Sequence, residues 1–397
     1  MDSLEGSRVL VTGGAGFVGS NLVARLLREG ADSVHVVDNL LSSERSNLPV
    51  SQKLKFTQGS IADNAILFRL DNHYDYVFHL ATYHGNQSSI HDPIADHDNN
   101  LITTLKLFER LKGFTGIRKV VYSGAGCAVA EKTFDQAHAT DEDAPITLAM
   151  DSPYSISKIV GEFYAVYYHS RHQFPVVRAR FQNVYGPGEV LGAGQWRGTP
   201  ATVWRNVVPT FIYRSLQREA LPLEGGGQAT RDFIYVDDIV EGLLRCALHG
   251  GPGEVYNLAS GVETSIADLA RIIDALTGNP VPPVALGSRD WDHSGRRFGS
   301  TEKASLALGF QAKQSLADGL AATLQWTRAF MPLIQSCIAK HSDHLASAIK
   351  GLNECYPLNR QPEHCKALLD ARKPRASTHQ DYHPRRFNML RPGRLLA

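Results

Sequence analysis

Thr12-Gly13-Gly14-Ala15-Gly16-Phe17-Val18-Gly19 follows the apolar run Val9-Leu10-Val11 and opens a helical pattern. A short apolar strand, a glycine-rich turn and a helix, in that order, form a dinucleotide-binding signature. Glycines at 13, 16 and 19 let the backbone turn sharply, approach a pyrophosphate and pack helix on strand. The helix N-terminus then directs free N–H groups and the positive end of its dipole at phosphate oxygens. About 140 residues later, Tyr154 and Lys158 stand four residues apart in a helical stretch. At that spacing they share one helix face. A phenol beside an ammonium loses its proton more easily than a free one.

Working outward from the turn, short apolar runs alternate with helical patterns. Residues 8–12, 33–38, 55–58, 76–80, 119–123 and 176–180 read as strands, and 19–28, 100–111 and 154–169 as helices. That alternation predicts an α/β fold, a doubly wound parallel sheet of the Rossmann type. After Val184 glycine and proline become frequent, and 186–199 reads as a loop. The expected organisation is a dinucleotide-binding domain over 1–183, to which 232–249 returns. A second, smaller substrate-binding domain lies mainly over 184–330. A C-terminal extension covers 331–397, with one or two helices over 332–352. From 366 to 397 there are eight Lys/Arg and two Asp/Glu. The prolines and scattered apolar residues of that stretch predict a poorly ordered, solvated tail.

Composition narrows the functional classes. Of 397 residues, 43% are hydrophobic and 20% charged, with a net charge of +1. Those proportions suit a globular enzyme and give no electrostatic case for nucleic acid or membrane surfaces. No apolar run approaches the roughly 18 residues of a membrane span. Residues 1–7 lack the apolar core of a signal peptide, so the expected location is the cytoplasm. Five irregularly spaced cysteines suggest neither a disulfide framework nor a zinc site, and no metal is expected.

The glycine turn and the Tyr154/Lys158 pair together make this chain resemble the extended short-chain dehydrogenase/reductase family. Within it, the resemblance is to NAD-dependent nucleotide-sugar epimerases and dehydratases, and it runs from about Arg8 to about Trp326. It implies NAD as cofactor, held by Gly13, Gly16, Phe17, Val18 and Gly19. Asp38 ends the second strand, 19 residues after Gly19. A carboxylate there accepts hydrogen bonds from the adenosine ribose and repels the extra phosphate of NADP. Asp38-Asn39-Leu40 is similar to the family's NAD-selecting segment. Ser60-Ile61 stands where the family has Asp-Ile beside adenine. Leu80-Ala81-Thr82 lies along the cofactor, and Asn100 matches the family's helix asparagine.

The resemblance makes Tyr154 the base and Lys158 its partner. A tyrosine with a pKa near 10 must approach roughly 7 to work at neutrality, a preference for the phenolate of about 4 kcal/mol. Lys158 supplies one positive charge and the oxidised nicotinamide another. The segment Tyr122-Ser123-Gly124-Ala125-Gly126-Cys127-Ala128 departs from the family pattern. Ala125 stands at the usual catalytic Ser/Thr, and Ser123 lies two residues early as a candidate substrate contact. Gly126 and Cys127 replace the Asp-Glu pair that dehydratases use, which counts against loss of water. GDP-mannose 3,5-epimerases carry a cysteine at the position of Cys127 as acid/base. They also use a following lysine, and the matching stretch, 204–209, has none.

For the substrate, the resemblance implies Asn183 against the diphosphate or sugar and Arg231 as a diphosphate clamp. Arg296 and Arg297 precede a further family-like stretch, and Arg297 is taken as the second candidate. Asp237 and Asp238 read as helix caps. The expected function is an NAD-dependent nucleotide-sugar epimerase working through a transient 4-keto sugar, an isomerase of carbohydrate metabolism. The alternatives are a 3,5-epimerase using Cys127, another nucleotide-sugar oxidoreductase, or a non-catalytic dinucleotide-binding sensor or scaffold. A homodimer formed through the Asn100 and Tyr154 helices is a family expectation.

Overall fold

The computed structural model describes residues 3–129, 133–293 and 295–355. Residues up to Ala346 form one compact unit; the described remainder, 347–355, is helical. The basic tail expected to be poorly ordered lies outside the described residues.

Seven strands form a wholly parallel sheet. They are β1 (Arg8–Thr12), β2 (Ser33–Asp38), β3 (Leu54–Gln58), β4 (Tyr76–His79), β5 (Lys119–Ala125), β6 (Val176–Phe181) and β9 (Val255–Leu258). Their spatial order is β9-β6-β5-β4-β1-β2-β3. In β1, Val9 to Thr12 are buried, as a parallel strand covered on both faces requires. The chain fills one half of the sheet from β1 to β3, then crosses to place β4 beside β1. This reversal opens a crevice beyond the carboxyl ends of β1 and β4, the usual ligand position in such sheets. Strand β9 carries only four residues, Val-Tyr-Asn-Leu, and pairs with β6 from Val255↔Arg178 to Leu258↔Phe181. It was not among the expected strands.

Helices cover both faces. One core joins Leu22, Val23 and Leu26 of α1 (Phe17–Arg28) to Ile239, Leu243 and Leu244 of α5 (Val236–His249) across the sheet residues Val9 and Val11. The other joins Leu107 and Phe108 of α2 (Thr103–Leu111) to Tyr168 of α3 (Pro153–His172) over Val120 and Tyr122. The helix expected over 100–111 begins as a widened π turn, Asp98–Ile102, before α2. Such turns cost regular hydrogen bonding and concentrate at functional sites.

A smaller sheet lies beyond 183. Here β7 (Asn183–Tyr185) pairs parallel with β8 (Thr230–Tyr235), and β8 pairs antiparallel with β10 (Glu263–Ser265). Helices α4 (Val207–Leu216), α6 (Ile266–Thr277) and α7 (Leu316–Ala329) pack around it through Phe211, Ile212, Leu269 and Leu320. Two more helices follow, α8 (Met331–Ala339) and α9 (Ser342–Cys355).

The reading of Asp237 and Asp238 as caps is corrected here. Helix α5 starts at Val236 with Tyr235 as N-cap and no side-chain cap. Asp238 instead accepts the N–H groups of Lys313 and Gln314, both at 3.0 Å, tying α5 to the chain before α7. Asp237 lies in the helix's first turn, where its charge complements the helix dipole.

Candidate active site

A continuous cleft of about 710 Å³ runs from the glycine turn, past Tyr154, to Arg231 and Arg297. That volume is within the usual range for small-ligand sites.

Its cofactor end is built for close backbone approach. Gly13 has a φ of +73°, and a Cβ there would come within 2.6 Å of the Ala81 nitrogen, beyond β4. A Cβ on Gly19 would collide with the Gly13 carbonyl. The Gly16 N–H closes the turn on the Gly13 carbonyl at 3.2 Å. Helix α1 starts with no side-chain cap and no acidic residue in its first turn. Its leading N–H groups therefore remain available to an anion. Gly13, Phe17, Val18 and Gly19 all line the cleft.

Asp38 is 7% exposed at the end of β2 and lines the same wall. One carboxylate oxygen accepts the Ala15 N–H at 2.9 Å; the other accepts the Leu40 N–H at 2.8 Å and the Ser43 hydroxyl at 3.0 Å. Burial raises this carboxyl above its ordinary value, while those bonds pull it down. Asp38 thus anchors the turn as well as facing the cleft. Asn39, Ser60, Ile61, Leu80, Ala81 and Thr82 also line it. Leu40, at φ +56°, does not, and neither does Asn100.

Asn100 is 2% exposed. Its amide oxygen accepts from the Thr82 hydroxyl at 2.9 Å and the Tyr83 N–H at 2.6 Å. Its NH2 donates to Asp96 at 2.7 Å and Ser157 at 3.2 Å. The side chain is fully occupied within the wall, one layer behind the cleft.

Helix α3 carries the candidate catalytic pair. Ser152 caps it by accepting the Ser155 N–H at 3.3 Å, Pro153 occupies its first position, and the Tyr154 N–H donates to Ser89 at 3.1 Å. Lys158 is 3% exposed and donates to the Ser123 carbonyl at 3.0 Å. Its nitrogen lies 5.9 Å from the Tyr154 ring centroid and 5.5 Å from that of Tyr122. Burial lowers Lys158 to about 8. Burial also drives the Tyr154 phenol upward, reinforced by Cys127 and Asp96 and opposed by a hydrogen bond with Thr82. The expectation of a depressed phenol is thus not met by Lys158 alone. The ammonium stands over the ring, 5.9 Å from its centroid, and burial is the leading influence on the phenol. A further positive charge at the phenol oxygen is needed.

Ser123 lines the cleft, but its hydroxyl donates to the His79 carbonyl at 3.1 Å, toward β4. Ala125 is 5% exposed and packs in an apolar cluster with Ile159, beside Tyr154 and the half-buried Cys127. Cys127 lines the cleft. At Gly126 a Cβ would fall 2.7 Å from the Gln182 side-chain amide carbon. The Gln182 amide lies over Gly126 and would have to swing aside for a side chain there.

At the far end, Arg231 is 8% exposed and donates to the carbonyls of Thr230 at 2.7 Å and Gly295 at 2.9 Å. Burial and the neighbouring Arg297 lower it to about 9. Arg297 and Asn183 line the cleft. Arg296 does not; Glu263 holds it at 2.8 and 2.9 Å.

Several lining residues were not singled out from the sequence. His84 meets Tyr154 edge-on, ring centroids 6.0 Å apart. Burial, then Arg197, Arg205 and Lys158, lower it to about 3, so its imidazole is neutral. Arg205 stands in the stretch where lysine is missing and donates to the carbonyls of Ser42 at 2.9 Å and Ala193 at 2.6 Å. It bridges the loop after Asp38 to the 186–199 loop. Only adjacency to a family-like stretch could have pointed to it. No group of three or more His, Cys, Asp or Glu among the described residues is placed to hold a metal.

The profile of the NAD dependent epimerase/dehydratase family matches residues 9–259. The chain belongs to this family. UDP-glucose 4-epimerase of Mycolicibacterium smegmatis is 34% identical over 325 residues, 81% of this chain and 98% of that protein. dTDP-glucose 4,6-dehydratase of Streptomyces antibioticus is 30% identical over 335 residues, 81% and 92% of the two chains. The Bordetella bronchiseptica enzyme WbmF, crystallised with NAD+ and UDP, is 58% identical with a TM-score of 0.79, covering 87% of this chain and 98% of that one. Epimerases and dehydratases both match, so family membership leaves the reaction to be argued from the site. No helix among the described residues is long and apolar enough to cross a membrane.

Proposed function

We propose that this chain is an NAD-dependent nucleotide-sugar 4-epimerase, with a UDP-sugar as the substrate class. The observation that carries the reading is the Tyr154/Lys158 pair on the cleft between the glycine turn and Arg231, with no carboxylate at 126 or 127. The cofactor residues fit NAD: the glycine positions admit no side chain, α1 is uncapped, and Asp38 stands where a 2′-phosphate would be repelled. When bound, NAD supplies a reversible hydride acceptor and, oxidised, the positive charge the buried phenol lacks.

In this reading Tyr154 takes the proton from the sugar's 4-hydroxyl and later returns it; the 4-ketone forms as the hydrogen on carbon 4 leaves as hydride, the acceptor chemistry that NAD would supply. Lys158 holds the ribose beside the phenol and contributes charge. Arg231 and Arg297 meet the diphosphate, a role suited to guanidinium donors. Asn183 approaches the sugar from β7. Turning the 4-keto sugar within the cleft presents its other face for hydride return, inverting carbon 4. A dehydratase needs an acid and a base at adjacent carbons, and neither Gly126 nor Cys127 carries a carboxylate.

A second reading is 3,5-epimerisation, favoured by Cys127 on the cleft beside Tyr154. A thiol can exchange the acidic protons next to a 4-ketone. Incubation of the purified protein with a panel of UDP-sugars, read by product NMR, separates these outcomes. A product inverted at carbon 4 alone supports the first reading; loss of water or inversion at carbon 3 or 5 refutes it.

We further propose a homodimer through α3. Ile156, Phe163, Val166 and Tyr167 are 41–54% exposed and recur along one stripe of this helix. An apolar stripe of that kind marks an interaction surface.

A further inference from the structure

The phenol of Tyr154 lacks the hydroxyl partner that the strand before it would normally offer. Position 125 is alanine in an apolar cluster, and the Ser123 hydroxyl is spent on the His79 carbonyl at 3.1 Å. Just past β4, the strand paired with β5, Thr82 lines the same cleft as Tyr154, and its side chain hydrogen-bonds the phenol. Its own hydroxyl donates to the Asn100 amide oxygen at 2.9 Å. That oxygen also accepts the Tyr83 N–H at 2.6 Å, and the Asn100 NH2 is pinned by Asp96 at 2.7 Å. Asp96 is 1% exposed.

We propose that Thr82 is the positioning hydroxyl for Tyr154, replacing from β4 the group that Ala125 omits from β5, with Asn100 and Asp96 holding it in place. A threonine hydroxyl has one proton to give and lone pairs to accept with. Facing a neutral phenol, Thr82 accepts a hydrogen bond from the phenolic O–H and donates one to the Asn100 amide oxygen. Facing a phenolate, the hydroxyl turns and donates to it. Asn100 then keeps the Tyr83 N–H, so no buried acceptor is stranded. When the phenolate takes a proton from the sugar oxygen, the bond from sugar oxygen to hydrogen breaks and the Tyr154 O–H bond forms. Thr82 retains its own proton throughout. The π turn at Asp98–Ile102 is the local distortion that carries Asn100.

This inference rests on Tyr154 being the base of the proposed reaction, but its test needs no substrate. Full-length protein loaded with NAD and labelled with [ζ-13C]tyrosine is titrated by NMR, with the Tyr154 signal assigned by its loss in Tyr154→Phe. Thr82→Val keeps the shape and removes the hydroxyl. It should raise the Tyr154 pKa by about one pH unit or more, the usual effect of one hydrogen bond to a charged group. Thr82→Ser should restore it, and Ala125→Ser in the valine background should recover part of the shift. An unchanged pKa in Thr82→Val overturns the proposal; so does a shift that serine fails to reverse, because that reports packing alone. Should valine prevent folding, Thr82→Ala against Thr82→Ser gives the same comparison. Absence of turnover on every UDP-sugar would sink the proposed function yet leave this titration decisive.

Discussion

Tyr154 is the residue on which the chemistry turns. Replacing it with Phe keeps the ring against His84 and removes the ionisable oxygen. Turnover should fall on the order of 10²–10⁴-fold, the usual contribution of a positioned acid/base, with NAD binding little changed. Steady-state kinetics within about threefold of wild type would be inconsistent with that range. Asp96, two layers back, gives a pH signature. Burial raises its carboxyl to about 6, above the ordinary carboxylate range. The folded state therefore holds a proton that the unfolded chain releases at lower pH. The stability this group contributes is present below the ordinary carboxylate pKa and falls as pH rises to about 6. Thermal midpoints of Asp96→Asn measured across that window should lose this downward slope; an identical slope would contradict the assignment. At this scale the sequence was legible where chemistry repeats with spacing. Tyr154, Lys158, Asp38 and Arg231 line the cleft. It was silent where tertiary contact decides. Nothing in the chain order says that Thr82 meets Tyr154, that the Gln182 amide lies over Gly126, or that Asn100 turns inward.

The glycine turn is the element that sets the cofactor. Protein purified without added nucleotide and then denatured should release NAD, identified by mass spectrometry; NADP as the main species would contradict the role given to Asp38. Gly13→Ala should lose most of the retained nucleotide. Its left-handed backbone alone costs about 1–3 kcal/mol for a non-glycine residue, before the collision with Ala81. Elements were legible in proportion to their apolar runs. Buried parallel strands such as β1 and β2 announce themselves because both faces are covered. Strand β9 escaped notice because four residues within a glycine-bounded stretch carry too little pattern. The π turn before α2 escaped because no local pattern marks it; Asn100 within it accepts the N–H of Tyr83, 17 residues away. Asp238 mimicked a cap because it opens a helix, while its carboxylate serves a segment 75 residues on.

At the scale of the whole molecule, the alternation of strands and helices was enough to predict the doubly wound sheet. It could not predict that the loops after β2, β4 and β6 and the arginines near β8 would share one cleft. That convergence is a property of strand order. The proposed dimer tests the outer surface. Phe163→Glu with Tyr167→Glu puts two charges into the α3 stripe. Light scattering should report a monomer where the parent is a dimer, and an unaltered mass would place the interface elsewhere. The central claim is inversion at carbon 4 with the hydrogen carried on the cofactor. The direct measurement is conversion of UDP-sugars in heavy water, followed by NMR of the product. The account predicts a carbon-4 epimer with no deuterium in the sugar ring. Deuterium at carbon 3 or 5, abolished by Cys127→Ser, would contradict it.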